Sequence, residues 1–146
     1  MDNLKPLTIL LAEDNEDHAE LMIETLEEFN AHNKIYHVEN GKLALSFLNK
    51  EPPFDQQDAP RPDLILLDQK MPLLKGKDTL KAIKEDEQLK NIPVIMISTS
   101  HSSSEIADCF KLGASSYIIK PINFEDFASK IRNLNLYWIS TSELPP

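Results

Sequence analysis

The sequence predicts an α/β fold in which a parallel sheet is covered by helices on both faces. Three continuous apolar runs, at residues 7–12, 64–67 and 94–97, lack the alternation of half-exposed strands, which indicates strands buried on both sides. Segments with the apolar spacing of helices separate these runs, so strand and helix alternate along the chain. Because crossovers between parallel strands are right-handed, only a few topologies remain.

Each element has its own signal. In chain order, the strands are expected at 7–12, 34–38, 64–67, 94–97 and 117–119. Gly113 suits the end of the fourth helix and Asn123 the N-cap of the fifth, whereas the Pro-bearing segment 51–61 is expected to be a loop before the third strand. The apolar stripes of the five helices are Leu21, Met22, Thr25, Leu26 and Phe29; Leu43, Ala44, Phe47 and Leu48; Leu80 and Ile83; Ile106, Cys109, Phe110 and Leu112; and Phe124, Phe127, Ile131, Leu134 and Trp138.

Length and composition predict one domain over residues 1–146, with a core at about 6–134 and a tail at 135–146. The single cysteine, Cys109, cannot form an internal disulfide, and it is expected in the core of a protein from a reducing compartment. No apolar run approaches the ~20 residues of a membrane span. No signal peptide is evident, so we expect a cytoplasmic protein without a membrane partner.

The charge balance restricts the partners. The chain has 15 Lys and Arg against 24 Asp and Glu, a formal net charge of -9. Non-specific nucleic-acid binding depends on cationic surface that faces phosphate, so a small acidic chain is a poor candidate for it. We therefore expect no nucleic-acid partner.

Polar residues follow the apolar strands at the edge where ligands bind in open parallel sheets. Glu13 and Asp14 follow the first strand, Asp68 ends the third, Ser98 the fourth and Lys120 the fifth. Clustered carboxylates repel one another unless a cation lies among them, and a hard divalent ion such as Mg2+ prefers oxygen ligands. The pattern therefore predicts a Mg2+ site at this edge.

Phosphoryl transfer is the chemistry that such an edge favours. A carboxylate can attack phosphorus to give an aspartyl phosphate, and Asp68 is the best nucleophile because it comes from an inner strand. Glu13 and Asp14 then serve as metal ligands. Mg2+, Lys120 and the Ser98 hydroxyl could each stabilise charge on the transferred phosphoryl group.

These residues belong to longer motifs that resemble the receiver domain of bacterial two-component response regulators. The resemblance covers essentially the whole chain, and four motifs in the right order are far more specific than one. They are residues 10–15 (LLAEDN), 62–68 (PDLILLD) with Met71-Pro72 and Gly76, 92–98 (IPVIMIS) and 113–121 (GASSYIIKP).

The resemblance implies a flavodoxin-like, doubly wound (βα)5 fold with the strand order 2-1-3-4-5. It implies that Asp68 accepts the phosphoryl group and that Mg2+ is held by Asp14, Asp68 and the backbone carbonyl of Lys70, with Glu13 acting through water. The other implied roles are the switch hydroxyl for Ser98, the switch aromatic for Tyr117, the phosphate-contacting lysine for Lys120 and a cis bond between Lys120 and Pro121.

The same resemblance implies partners. A sensor histidine kinase would supply the phosphoryl group, and a downstream protein or a second copy of the chain would bind the face of the fourth helix, fifth strand and fifth helix. The loop before the third strand, Thr99-Ser100 and Tyr137-Trp138 further resemble small stand-alone regulators that pair with phytochrome-type kinases. Gln69, Lys70 and Lys75 occupy positions that vary in the family, so Mg2+ affinity and phosphoryl lifetime are not carried over.

The preferred interpretation is a phosphorylation switch without catalytic output, since the tail is too short for a further domain. One alternative is an aspartyl-phosphate phosphatase of the haloacid dehalogenase type, but that class has an Asp-x-Asp pattern after the first strand, where this chain has Glu13-Asp14-Asn15-Glu16. A flavodoxin-like electron carrier would need hydroxyls and glycines there. A receiver-like adaptor that is never phosphorylated is the remaining alternative.

The four histidines give no metal signal. His18, His32, His37 and His101 lack the paired spacing of a zinc site. We expect surface histidines, or histidines whose hydrogen bonds are satisfied within the fold.

Overall fold

The computed structural model describes residues 6–29, 32–56, 58–120, 123, 125–130 and 132–133. It contains a five-stranded sheet in the order β2-β1-β3-β4-β5, and every neighbouring pair of strands is parallel. This confirms the predicted fold class and strand order. The strands are β1 Thr8–Ala12, β2 Lys34–Val38, β3 Leu64–Asp68, β4 Val94–Ser98 and β5 Ser116–Ile119.

Helices follow the strands, and side chains cap several of them. The side chain of Asn40 accepts a hydrogen bond from the Leu43 N–H at 2.8 Å. Asn123 accepts one from the Asp126 N–H at 2.8 Å, as predicted for the start of the last helix. The helices are α1 Glu16–Phe29, α2 Gly41–Leu48, α3 Gly76–Glu85, α4 Ser103–Lys111 and helical backbone at 125–130 and 132–133.

The sheet separates two apolar layers because alternate residues of each strand point to opposite faces. One layer joins the sheet to α2, α3 and α4, and it includes Leu10, Ile65, Phe47, Leu80 and Cys109. The other layer joins the sheet to α1 and the last helix, and it includes Ile9, Leu66, Ile97, Met22 and Phe127. The packing of both layers against the sheet holds the carboxyl ends of the inner strands in place relative to one another.

Most predicted core positions are confirmed, and one is wrong. Cys109 is fully buried, and burial raises the pKa of its thiol. Phe110, predicted on the same stripe, is exposed, because one residue along a helix turns the side chain by about 100° away from Cys109. Gly113 has a φ of 108°, which suits glycine at the helix end. The side chains of five predicted core residues lie outside what the structure describes: Phe29, Phe124, Ile131, Leu134 and Trp138.

The segment before β3 is a loop, as predicted. The described residues between 49 and 63 include no strand or helix, although Phe54 packs edge-on against Phe47 with ring centroids 5.3 Å apart. The tail at 135–146 lies outside the described residues. Within the described part of the chain, no helix has the length and apolar character needed to span a membrane.

Candidate functional site

The site lies at the carboxyl edge of the sheet. Asp68 is the last residue of β3 and pairs with Ile97, and Ser98 is the last residue of β4 and pairs with Ile119. Glu13 and Lys120 directly follow β1 and β5. The parallel sheet thus brings residues from distant parts of the sequence to one edge.

Glu13 is held inside the protein although it is a carboxylate. It is 1% exposed, and its Oε2 accepts a hydrogen bond from the Asn15 N–H at 3.2 Å. Its backbone N–H donates to the carbonyl of Val38 at 3.0 Å, which continues the β1–β2 pairing for one residue beyond β1. Asp14, the next residue, is exposed. One of the two neighbouring carboxylates is therefore fixed and the other faces solvent.

Lys120 joins the carboxylates of two strands. Its Nζ lies 2.6 Å from Oε1 of Glu13 and 3.1 Å from Oδ1 of Asp68, and its side chain is 7% exposed. Buried charges are tolerated when they are paired and hydrogen-bonded. The Lys120 ammonium is paired and hydrogen-bonded, but its single positive charge balances only one of the two buried carboxylates, Glu13 and Asp68.

The electrostatics of Asp68 reflect this imbalance. Its pKa is raised to about 7, chiefly by burial and then by the neighbouring Glu13, while Lys120 acts in the opposite direction. Without a further cation, Asp68 is therefore only partly ionised at neutral pH. A nucleophilic carboxylate must be ionised, so the site needs more positive charge than Lys120 supplies.

The donor set fits a divalent cation. Glu13, Asp14 and Asp68 each offer a carboxylate oxygen within 4.8 Å of the others. Oxygen donors with excess negative charge are what hard ions such as Mg2+ and Mn2+ prefer. The structure thus brings the predicted carboxylates into one cluster that could bind such an ion.

Ser98 is buried beside this cluster. It is 1% exposed, and its Oγ accepts a hydrogen bond from the Ser100 N–H at 3.1 Å. Among the described residues, the Ser98 hydroxyl proton has no acceptor. The hydroxyl therefore keeps a donor that it can offer to a group bound at the edge.

Tyr117 connects β5 to the loops that follow β3 and β4. Its hydroxyl lies 3.0 Å from Oε1 of Gln69 and 3.3 Å from the carbonyl oxygen of Ser100. A phenolic hydroxyl has one proton, so it donates to one of these acceptors at a time. Tyr117 therefore has two alternative partners, one next to Asp68 and the other two residues beyond Ser98.

The loop between β3 and α3 is compact. The Leu74 N–H donates to the Pro72 carbonyl at 2.8 Å, and the residue between them, Leu73, has a φ of 68°, which defines a γ-turn. The loop then brings the Gly76 N–H to the carbonyl of Gln69 at 3.0 Å. A Cβ at position 76 would lie 2.5 Å from the Asp68 carbonyl oxygen, so only glycine allows this approach.

Two predictions concern groups that the structure describes only in part. Lys70, predicted to offer its backbone carbonyl to the metal, lies in the loop two residues after Asp68 with its side chain exposed. Its role stays a prediction. Pro121 lies outside the described residues, and so does the predicted cis bond before it.

Sequence reasoning missed two residues at the site. His18, interpreted as a surface or satisfied histidine, has its Nδ1 3.1 Å from Nζ of Lys120, and its pKa is lowered by burial and by Lys120. Gln69, noted only as a variable position, is buried against Tyr117. A signal existed for His18, because the first turn of the helix that follows Asp14 lies at the same edge of the sheet as Asp14.

Comparisons with known proteins agree with this geometry. A family model for the response regulator receiver domain matches residues 9–132. Response regulator Rcp1 of Synechocystis sp. (strain ATCC 27184 / PCC 6803 / Kazusa) is 31% identical over 140 residues, which cover 96% of this chain and 94% of Rcp1.

Solved structures are similar over nearly the whole chain. The phosphorylated cyanobacterial phytochrome response regulator RcpA matches with a TM-score of 0.91 and 33% identity, covering 97% of this chain and 100% of that one. The Mn2+-bound form of Rcp1 matches with a TM-score of 0.89 and 30% identity, with coverage of 97% and 100%. Both the fold and the looser resemblance to phytochrome-associated regulators are thereby confirmed.

Proposed function

The chain belongs to the response regulator receiver family, and we propose that it is a stand-alone phosphorylation switch that accepts a phosphoryl group on Asp68. The main support is the position of Asp68, buried at the end of an inner strand, where the Lys120 ammonium bridges it to the carboxylate of Glu13. The match to nearly all of Rcp1, rather than to one part of a longer regulator, supports the stand-alone form.

In the proposed reaction, a carboxylate oxygen of Asp68 attacks the phosphorus of the donor. A P–O bond forms, the bond from phosphorus to the leaving group breaks, and the leaving group departs with that electron pair. With a kinase phosphohistidine the leaving group is the imidazole, and with acetyl phosphate it is acetate. Lys120 contacts a phosphoryl oxygen, and the Ser98 hydroxyl donates to another.

We propose that Glu13, Asp14, Asp68 and the backbone carbonyl of Lys70 hold the Mg2+ ion, with Glu13 acting through water. Bound there, the ion supplies positive charge for the carboxylates and for the phosphoryl oxygens. Glu13 would contribute a buried carboxylate whose position is fixed, and Asp14 would contribute a carboxylate that is accessible from solvent.

We propose that the signal leaves through protein contacts. Phosphorylation adds roughly -1.5 to -2 charge and strong acceptors beside Ser98. When the Ser98 hydroxyl turns to the phosphoryl group, the loop that carries Ser100 shifts, and with it one of the two partners of Tyr117. The face formed by α4, β5 and the last helix would then bind a downstream protein or a second copy of the chain.

The proposed kinase is a sensor histidine kinase of the phytochrome type. Its support is the likeness to RcpA, which is a phytochrome response regulator. The histidine kinase, the phosphoacceptor and the output contact together would form a two-component pathway.

The decisive experiment is intact-mass measurement after incubation with Mg2+ and acetyl phosphate. We expect one added phosphoryl group in the wild type and none in Asp68→Asn, because the amide has nearly the same shape but is a poor nucleophile. Asp78→Asn is the matched control, since Asp78 is an exposed carboxylate in the first turn of α3. It should be labelled like the wild type.

Labelling of Asp68→Asn at the wild-type level would refute Asp68 as the acceptor. A wild type that takes up no phosphoryl group from acetyl phosphate or from a histidine kinase would instead support the adaptor that is never phosphorylated.

A further inference from the structure

We infer that His18 is a positioning residue that orients the Lys120 ammonium for phosphoryl transfer to Asp68. The inference rests on the proposed function and extends it to a residue outside the family motifs quoted above. His18 lies in the first turn of α1, at the same sheet edge as the carboxylates.

The contacts of Lys120 carry the argument. Its Nζ lies 2.6 Å from Oε1 of Glu13, 3.1 Å from Oδ1 of Asp68 and 3.1 Å from Nδ1 of His18. A lysine ammonium has three N–H donors and no acceptor, so Nδ1 of His18 must accept. His18 thus completes the hydrogen bonding of Lys120, and its own ring proton is on Nε2.

The ring of His18 is itself oriented by packing. It meets the buried ring of Phe127 edge-on, with centroids 5.8 Å apart and planes at 81°. Edge-to-face packing at this separation is a favoured arrangement of aromatic rings. Phe127 from the last helix therefore fixes the direction of Nδ1, and Nδ1 fixes the direction of one Lys120 N–H.

A neutral acceptor suits this position because of the charges already present. Three carboxylates share the edge with one ammonium. Another carboxylate would hold Lys120 equally well, but it would repel the incoming phosphoryl group and compete for the ammonium. An imidazole holds the ammonium in place without adding negative charge where phosphate must arrive.

Two substitutions separate the acceptor from the ring. His18→Phe keeps a flat ring for Phe127 but has no acceptor, whereas His18→Asn places an amide oxygen near the position of Nδ1 but has no ring. The experiment measures the phosphorylation rate at saturating Mg2+ over a series of acetyl phosphate concentrations. Glu20→Gln, an exposed change on the same helix, is the control.

We expect His18→Phe to lower the maximal rate roughly tenfold, which corresponds to about 1.4 kcal/mol of transition-state stabilisation. The half-saturating acetyl phosphate concentration should stay the same, because the ammonium still carries its charge. His18→Asn should recover most of the lost rate. A role in packing alone predicts the reverse order, with His18→Asn the slower variant.

If the wild type is labelled and His18→Phe reacts at the wild-type rate, the inference is wrong while the proposed function stands. The same conclusion follows if His18→Phe is slow and His18→Asn reacts no faster than His18→Phe. If the wild type takes up no phosphoryl group, both fail together. Should the variants not fold, 15N NMR of the wild type decides the point, since a proton on Nδ1 of His18 in the neutral ring would overturn the inference.

Discussion

Two groups of residues share the carboxyl edge of the sheet, and they are connected in different ways. The charged group is Glu13, Asp68 and Lys120, in which one ammonium bridges two buried carboxylates. The neutral group is Gln69, Ser98 and Tyr117 together with Ser100, which contacts both Ser98 and Tyr117. Its members are joined by hydrogen bonds between uncharged atoms. Buried ionic contacts are costly to break, whereas a neutral hydrogen bond contributes only about 1 kcal/mol. We therefore expect the charged group to determine phosphoryl transfer and stability. The neutral group can exchange hydrogen-bond partners at a small cost in free energy.

The largest expected effect comes from removing the bridge. Lys120→Met leaves the Glu13 and Asp68 carboxylates buried without their cation, which should lower the free energy of unfolding by about 3–5 kcal/mol in the absence of metal. Urea denaturation with a chelator present measures this change. The loss should grow as the pH rises and Asp68 ionises, and Mg2+ should restore part of the stability.

Lys81→Met, an exposed change on α3, is the control for that measurement and should change stability little. If Lys120→Met is as stable as Lys81→Met, the charged group does not contribute to stability as the comparison requires.

An intermediate effect is expected from pH. Because the pKa of Asp68 is raised to about 7, protons compete with the cation for its carboxylate below neutral pH. Mg2+ affinity should therefore rise with pH, by about tenfold from about pH 6 to about pH 8, and then level off. Isothermal titration calorimetry measures the affinity and the proton released on binding.

Asp68→Asn provides the contrast in this experiment. It removes the titrating carboxyl, so its weaker Mg2+ binding should lose most of the pH dependence over the same range. An identical pH profile in the variant would assign the effect to another group.

The smallest expected effect is in the neutral group. Ser98→Ala should change the free energy of unfolding by about 1 kcal/mol or less and still permit slow phosphorylation. It should, however, remove the phosphorylation-dependent change in amide hydrogen exchange on α4 and β5. Ser103→Ala, at an exposed position in the first turn of α4, is the control.

Retention of the full exchange response in Ser98→Ala would show that the signal does not pass through the Ser98 hydroxyl. A stability loss near that of Lys120→Met would erase the distinction between the two groups.

The sequence predicted the fold and the charged group more completely than the neutral one, for physical reasons. Strands buried on both faces leave continuous apolar runs, and the residue that ends such a run lies at the sheet edge. Asp68 and Ser98 could therefore be placed at that edge from the sequence alone. Parallel pairing then brought Glu13 and Lys120 to the same edge. The end of each inner strand can therefore be located from the apolar run in the sequence.

Contacts made by loops and helix starts could not be placed in this way. Gln69 contacts Tyr117 from the start of a tight loop that contains the γ-turn at Leu73 and the close backbone approach at Gly76. His18 contacts Lys120 because of the direction in which its side chain leaves α1. The sequence spacing of zinc ligands gives no indication of a histidine that accepts a hydrogen bond from a lysine. Side-chain direction around a helix also decided the exposure of Phe110.

Cys109, the single cysteine of the chain, gives α4 a built-in chemical reporter. The thiolate is the reactive form, and both full burial and the raised pKa suppress it in the closed protein. An aromatic disulfide reagent can therefore react only when α4 lifts from the sheet, so the labelling half-time measures how often that helix opens. A difference between the half-times with and without acetyl phosphate would measure the coupling between Asp68 and α4. The measurement follows absorbance and needs no substitution in the protein.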